Sequence, residues 1–566
     1  MSSVKPQGVG DNPHARYFLW GLAALIPLGF LTLFFAWPAA TLVLRGFTTD
    51  SGAWDFSAFH EVFTRPRTWR VIRLTLSMAA VATVLSVLLG IPGAYVLYRC
   101  RFPGRMILRA LIAVPFVLPT VVVGVAFRAL LAPGGWLAWT QLDQTVAAVV
   151  AAMVFFNYSL VVRNVGNLWA RLDPRTTQAA RALGASAPRA FFTVTLPSLI
   201  PAITSAASIV FLFCTTAFGI VLILGGAELA TIESEIYQYT TAFLDLRGAA
   251  VLSVVQLVVI TASLSLSGWA RRRNESAQSE RGSTVRADAV ALPARRSDIP
   301  VFAFTFAVIG VLIVLPLTQL VWRSLHRRGE FTFANYLALA DPHASRAART
   351  SALAATWTSL HVAVLAAAIA LTIGLLVAVL VTRRPRTRTG RRALGFLDAA
   401  FMLPLGVSAV TVGFGFLITL NRPPVDLRSS WWLVPFAQAV VAIPLVVRMT
   451  APVLRAINPR QREVAATLGA SPGRVLRTID GAHLLRAGAV AAGFALAVSL
   501  GEFGATAFLA RPESPTLPVM IFRLISRPSP VEQGMAMAAS VLLATLAATV
   551  MVVVERGRPS TAGEFA

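Results

Sequence analysis

Few side chains in this sequence are placed for covalent chemistry. The six histidines (His14, His60, His326, His343, His361 and His483) are scattered and form no H-E-x-x-H cluster, so no metalloprotease-type zinc site is indicated. Cys100 and Cys214 lie far apart, at or inside apolar runs, which argues against a disulfide framework or a metal site. Lys5, in S-S-V-K-P-Q, is the only lysine. A phosphate-cradling G-x-x-x-x-G-K-[ST] loop needs a lysine after its glycines, and none stands there. No nucleophile elbow and no paired carboxylates on one face are found either.

What remains are polar groups inside otherwise apolar runs. Glu502 sits in S-L-G-E-F-G-A-T, late in such a run. An ionisable residue inside a membrane is costly and faces a cavity or a partner. A carboxylate there suits the passage of a cation; the competing reading is a carboxylate near the outer surface, bonded to nearby backbone or an arginine. Asn157 and Tyr158 are candidates for lining the same pathway, or for hydrogen bonding between helices. Asp398 is expected to pair with Arg391 or Arg392 near the membrane interface.

The elements that must hold these groups are membrane helices. The chain has 566 residues, 56% hydrophobic and 13% charged. Apolar runs of about 20 residues recur along it, the length an α-helix needs to cross a bilayer. A β-barrel would show alternating segments of about 10 residues instead. The formal charge of +25 is concentrated in short arginine-bearing segments between runs, which fits the positive-inside rule and not nucleic-acid binding.

The reading is an all-α polytopic membrane protein of about 12 helices. Residues 1–16 form a polar cytoplasmic tail, and 17–269 a first transmembrane domain with spans near 17–45, 71–98, 107–131, 143–164, 197–224 and 248–269. Residues 270–299, with seven arginines, read as a flexible basic cytoplasmic linker. A second domain over 300–555 has spans near 300–323, 355–382, 393–420, 430–450, 484–509 and 534–555, and 556–566 is a second cytoplasmic tail. The segment Gly225–Arg247, with Glu228, Glu233, Glu235 and Asp245, is expected as an outside loop.

The second domain repeats the first. At a constant offset of 285 residues, Leu118-Pro119 meets Leu403-Pro404, Phe218-Gly219 meets Phe503-Gly504, and Thr231 with Ile236 meets Thr516 with Ile521. An even number of spans per unit gives both units the same orientation. Two parallel six-helix repeats commonly place a transport pathway at their interface. Glu502 has Ala217 as its repeat mate, so any role for it belongs to one half only.

Two polar islands at the same offset interrupt the apolar pattern: Q-A-A-R-A-L-G-A-S-A-P-R-A-F-F-T-V-T-L-P from Gln178 and E-V-A-A-T-L-G-A-S-P-G-R-V-L-R-T-I-D-G-A from Glu463. Each reads as helix, glycine turn, helix, projecting from the membrane. They resemble the EAA loop of ABC importer permeases, E-A-A, three residues, G, nine residues, I-x-L-P. The matching positions are Gln178, Ala179, Ala180 and Gly184, then Glu463, Ala465 and Gly469. Gln178 stands where the pattern has Glu, and Gly481-Ala482 stands where it has Leu-Pro.

The resemblance implies a fused two-domain permease with the type I ABC importer fold, set in the inner membrane with both termini cytoplasmic. It implies two copies of an ABC ATPase subunit as partners, docked on the two loops, and an extracytoplasmic solute-binding protein. ATP would be used by the partner subunit, with no cofactor or metal bound by this chain. The segments 218–238 and 499–522 resemble fused permeases of thiamine importers, with ferric iron permeases as the alternative. A proton-coupled secondary transporter also has twelve helices in two parallel halves, but it gives no reason for the islands.

Overall fold

The computed structural model describes residues 13–49, 52–226, 228–280, 292–293, 295–345, 350–382, 388–422, 425–427 and 430–556. Most of the expected tails at 1–16 and 556–566, namely 1–12 and 557–566, and the middle of the expected linker lie outside the described residues. Among the described residues ten helices are long and apolar enough to cross a membrane. Five fall in the first repeat: Ala23–Phe47, Pro66–Arg99, Val146–Arg171, Ala187–Thr215 and Leu246–Ser265. Five fall in the second: Arg296–Ser324, Ala352–Val381, Leu433–Ala456, Gly473–Gly501 and Pro530–Val554.

The third element of each repeat is broken where a single span was expected. Arg105–Val117 and Thr120–Leu131 meet at 106°. The cause is Pro119, whose ring pushes the preceding residue out of the helical region; Leu118 is extended, at φ −69° and ψ 136°. In the second repeat Arg388–Met402 passes into a 3₁₀ turn, Leu403–Gly406, before Ala409–Thr419. The breaks fall on Leu118-Pro119 and Leu403-Pro404, a pair already in register in the sequence.

The fifth and eleventh spans also end earlier than their apolar runs. Leu196–Thr215 stops before Ala217 and a short helix, Gly219–Leu224, follows. Gly481–Gly501 stops before Glu502 and is followed by Thr506–Leu509. Glycines flank both interruptions. At Gly504 an added Cβ would lie 2.9 Å from Ala409 Cβ, and at Gly501 it would lie 3.3 Å from the Pro119 ring. Backbone thus approaches backbone where the helices are interrupted, and membrane-depth breaks of this kind are tolerated only when buried in protein or lining a cavity.

The two repeats are laced together by their first spans. Leu31, Phe34 and Phe35, from the first span, belong to the second repeat's core with Ile373, Phe416 and Val440. Phe34 lies 4.4 Å from the Phe436 ring and 6.1 Å from Phe416. The seventh span crosses the other way: Ile309, Ile313 and Leu320 sit in the first repeat's core, and Arg323 Nη1 donates to the Ala129 carbonyl at 3.2 Å. The domains drawn at 17–269 and 300–555 are therefore sequence units that exchange a helix in space.

Two further expectations are corrected. The sixth helix runs on from Leu246 to Glu280, into the segment read as flexible linker. Beyond the undescribed middle of that segment, Leu292–Pro293 pairs in parallel with Cys100–Arg101, and Tyr95 Oη donates to Asp298 at 3.2 Å. The segment Gly225–Arg247 is not a solvated loop. It forms a helix, Ile232–Thr241, whose Ile232, Glu233, Ser234, Glu235 and Ile236 are all buried. Thr231 and Ser234 close a capping box at its start, and Thr75 Oγ1 accepts from the Ile232 amide at 3.0 Å. The repeat equivalent, Leu517–Ile525, is held the same way, with Ser359 Oγ accepting from the Leu517 amide at 2.7 Å.

Candidate translocation pathway and coupling loops

The interrupted helices converge between the repeats. Phe218 and Phe503, equivalent residues of the two halves, stack with centroids 5.3 Å apart. Tyr237 packs edge-on to Phe218 at 5.5 Å and to Phe508 at 5.3 Å, while Phe522 meets Phe503 at 5.4 Å. Tyr237 and Phe522 are themselves repeat equivalents. This aromatic cluster closes the junction between the halves, and it lies one 20-residue helix, Leu196–Thr215, or about 30 Å, from the first polar island.

Of the three pathway candidates from sequence, the structure brings only Glu502 to this junction. It is buried, and its carboxylate accepts from the Ala505 amide at 2.7 Å, the Thr506 amide at 3.1 Å and the Thr506 hydroxyl. Gln438 Nε2 in turn donates to Thr506 Oγ1 at 3.1 Å. Glu502 therefore caps the helix that resumes after the break, the bonding to nearby backbone that the sequence left open. Asn157 and Tyr158 lie elsewhere, in the packing of Val146–Arg171 on its neighbours. Asn157 Nδ2 donates to the Met153 carbonyl at 2.9 Å and to Cys214 Sγ at 3.4 Å, and the buried Tyr158 ring fills the space left by Gly93. Asp398 pairs with Arg455, at 3.4 Å, and not with Arg391 or Arg392.

Sequence reasoning missed Glu233, which the inward fold of 225–247 carries into the junction. It is fully buried, with Oε1 accepting from Gln256 Nε2 at 2.8 Å and Oε2 from Ser408 Oγ at 2.7 Å. Ser408 belongs to the second repeat, so this carboxylate bridges the halves. A signal was present: the repeat equivalent of this segment, L-P-V-M-I-F, is too apolar for an outside loop. Nearby Glu235, also buried, takes a bidentate pair from Arg67 at 2.6 and 3.0 Å.

The islands fold alike. Gln178, Ala179 and Ala180 lie on the helix Pro174–Ala182, and Glu463 and Ala465 on Pro459–Thr467. Asp173 and Asn458 cap them by accepting from the Arg175 and Arg460 amides at 3.0 Å each. Each ends in a Schellman turn: Ala185 and Gly184 amides donate to the Ala180 and Arg181 carbonyls, and Ala470 and Gly469 to Ala465 and Ala466. Gly184 and Gly469 have φ of +87° and +81°, a region where glycine alone is unstrained. The turns leave Leu183 and Leu468 90% and 82% exposed.

Below the turns the islands differ. Arg462 Nε donates to the buried Asp480 at 2.8 Å, whereas the equivalent pair in the first half is Thr177 and Thr195, hydroxyl to hydroxyl at 3.3 Å. Both pairs clamp an island to a π-helical turn, Phe191–Thr195 or Leu476–Asp480, at the base of the next span. Replacing Arg462 with Ala should destabilise the protein by about 2–3 kcal/mol, because it takes the guanidinium from a buried carboxylate. The double change R462T/D480T, which copies the first half, should recover most of that loss in a thermal melt. No recovery would show that the ion pair is not what holds this loop.

Comparison with known proteins adds the decisive observation. The profile of a family described as binding-protein-dependent transport system inner membrane component matches residues 82–273. The molybdenum transport system permease protein ModB of Escherichia coli is 32% identical over 222 residues, covering 37% of this chain and 96% of that one. The chain belongs to this permease family. One half thus corresponds to nearly a whole relative, as the duplication requires. Over both halves, the thiamine transport system permease protein ThiP of Escherichia coli is 28% identical across 474 residues, 81% of this chain and 83% of that one. ThiP of Brucella abortus is 27% identical across 513 residues, 88% and 89% of the two chains. This permease is accordingly a multi-pass inner-membrane transport subunit of an ABC importer.

Proposed function

We propose that this permease forms the translocation pathway of a thiamine importer. The observation that carries this reading is the alignment of thiamine permeases along more than four fifths of both chains, through both repeats. Cargo reaches the permease from a solute-binding protein on the outer face. ATP is hydrolysed by two copies of a separate subunit, one on each island, and this chain itself binds no cofactor. Both termini and the segment 270–299 lie on the cytoplasmic side.

The geometry supplies a route for coupling. An island pushed by its ATPase moves the π-helical turn to which it is clamped, and with it the base of the fifth or eleventh span. The far ends of those spans are the interruptions at Phe218 and Phe503, so motion at the islands parts or closes the aromatic junction. Breaks at Leu118-Pro119 and Leu403-Pro404 give the flanking helices room to follow.

The test is uptake of labelled thiamine and of labelled ferric iron in cells with and without this chain. Thiamine uptake that depends on the chain supports the reading. Dependence of iron uptake alone would keep the permease and overturn its proposed cargo.

A further inference from the structure

We propose that Glu233, with the Gln256 side-chain oxygen beside it, is a binding station for an aromatic organic cation on its way between the two halves; the proposal rests on the thiamine reading. Glu233 is fully buried, and its two recorded partners, Ser408 and Gln256, are both neutral donors. Among the described residues no basic side chain pairs with it. A buried carboxylate without a cation is expensive to keep, and here nothing in the packing of the fold needs its charge: the repeat equivalent, Pro518, serves the same buried helix start.

Gln256 supplies a second, independent sign of a missing ligand. Its Nε2 donates both to Glu233 and to the Thr215 carbonyl, at 2.8 and 3.1 Å. Two acceptors on that side fix the orientation of the amide. Its Oε1 is then left buried without a donor, and buried polar atoms of this kind call for a partner. The site therefore has acceptors in excess, a carboxylate and an amide oxygen, which suits a cation that also carries N–H donors.

The surroundings add a surface for a flat ring. Tyr237 lies one helical turn after Glu233 and so on the same face of Ile232–Thr241, and its ring meets Phe218, Phe508 and Phe522. Aromatic faces attract cations. The site is shut in this structure because Ser408, from the second half, occupies one carboxylate oxygen. When the halves part, Ser408 leaves with its own half, and the freed oxygen is offered to the pathway. A passing cation replaces the lost donor, and reclosure of the halves displaces it in turn.

The experiment uses the assembled importer with its ATPase and binding protein, and labelled thiamine as the probe. Uptake, ATPase activity and melting temperature are measured for wild type, E233Q and E233D. Glutamine fits the same space and can keep both hydrogen bonds, accepting from Gln256 and donating to Ser408. We expect E233Q to lower uptake roughly tenfold or more while assembly and melting temperature hold, and E233D to stay within roughly threefold of wild type. Equal uptake by E233Q would overturn the proposal. So would equal losses in both variants accompanied by a lowered melting temperature, which would mark Glu233 as a clasp between halves. If wild type itself imports no thiamine, the thiamine reading falls and this inference with it.

Discussion

Changing Leu183 and Leu468 together to Glu should abolish co-purification of the ATPase while leaving the permease folded. Both leucines are almost wholly exposed at the tips of the islands, so their replacement removes no internal packing. Large apolar side chains held out on a rigid turn are what a partner's pocket buries, and such anchors typically contribute about 2–4 kcal/mol each when truncated. The double change should weaken ATPase binding by a factor of about 100 or more, read as ATPase retained on affinity-purified permease. G184V and G469V offer a second route to the same end. Valine at a positive φ is strained by about 1–2 kcal/mol, so the Schellman turn distorts and the leucine points elsewhere. Retention of the ATPase by all of these variants would remove the islands from the interface. The single variants carry extra information, since Gln178 and Glu463 give the two loops different charge. Unequal losses would show that the halves do not share the ATPase evenly.

The second large effect is expected at Gly413, where Ala409–Thr419 meets the break after Glu502. A Cβ added at Gly413 would lie 2.6 Å from Ala505 Cα and 2.8 Å from its carbonyl oxygen. These are backbone atoms, and Ala505 is held by its own amide to Glu502, so neither side can give by a rotamer change. G413V should cost about 3 kcal/mol, at the upper end for overpacking, and should lower the thermal melt even in the assembled complex. Uptake should fall further than stability alone requires, because the same contact locks Glu502, Thr506 and Gln438 into one network. Gly395, with open space around its Cα, is the matched control: G395V should change neither melt nor uptake by a measurable amount. A G413V protein as stable as the control would mean that this close approach does not hold the junction.

Much of this architecture is written locally. Apolar runs longer than a bilayer can announce spanning helices whatever their neighbours, because backbone groups in lipid have no other partners. The constant 285-residue register pairs Leu118-Pro119 with Leu403-Pro404 and Phe218-Gly219 with Phe503-Gly504, although each lies in a run that reads as a single span, so the breaks there belong to the fold. Gly184 and Gly469 do foretell their turns, since the positive φ is a property of one residue. The family followed from the islands for the same reason. Asp398 shows where such reading stops: sequence offered the nearest arginines, and the fold chose Arg455, 57 residues away.

Tertiary structure decided the rest. The exchange of first spans depends on which helix face meets which core, and an evenly apolar span carries no mark of its destination. The inward turn of 225–247 could not be read from its four acidic residues, which suggest water. The two that are buried are accommodated from afar, Glu235 by Arg67, 168 residues away, and Glu233 by Ser408, 175 residues away. Sequence therefore determined which segments cross the membrane and which polar turns project from it. Only the folded chain decided which carboxylates lie between the halves, because burying a charge depends on partners that no local pattern records.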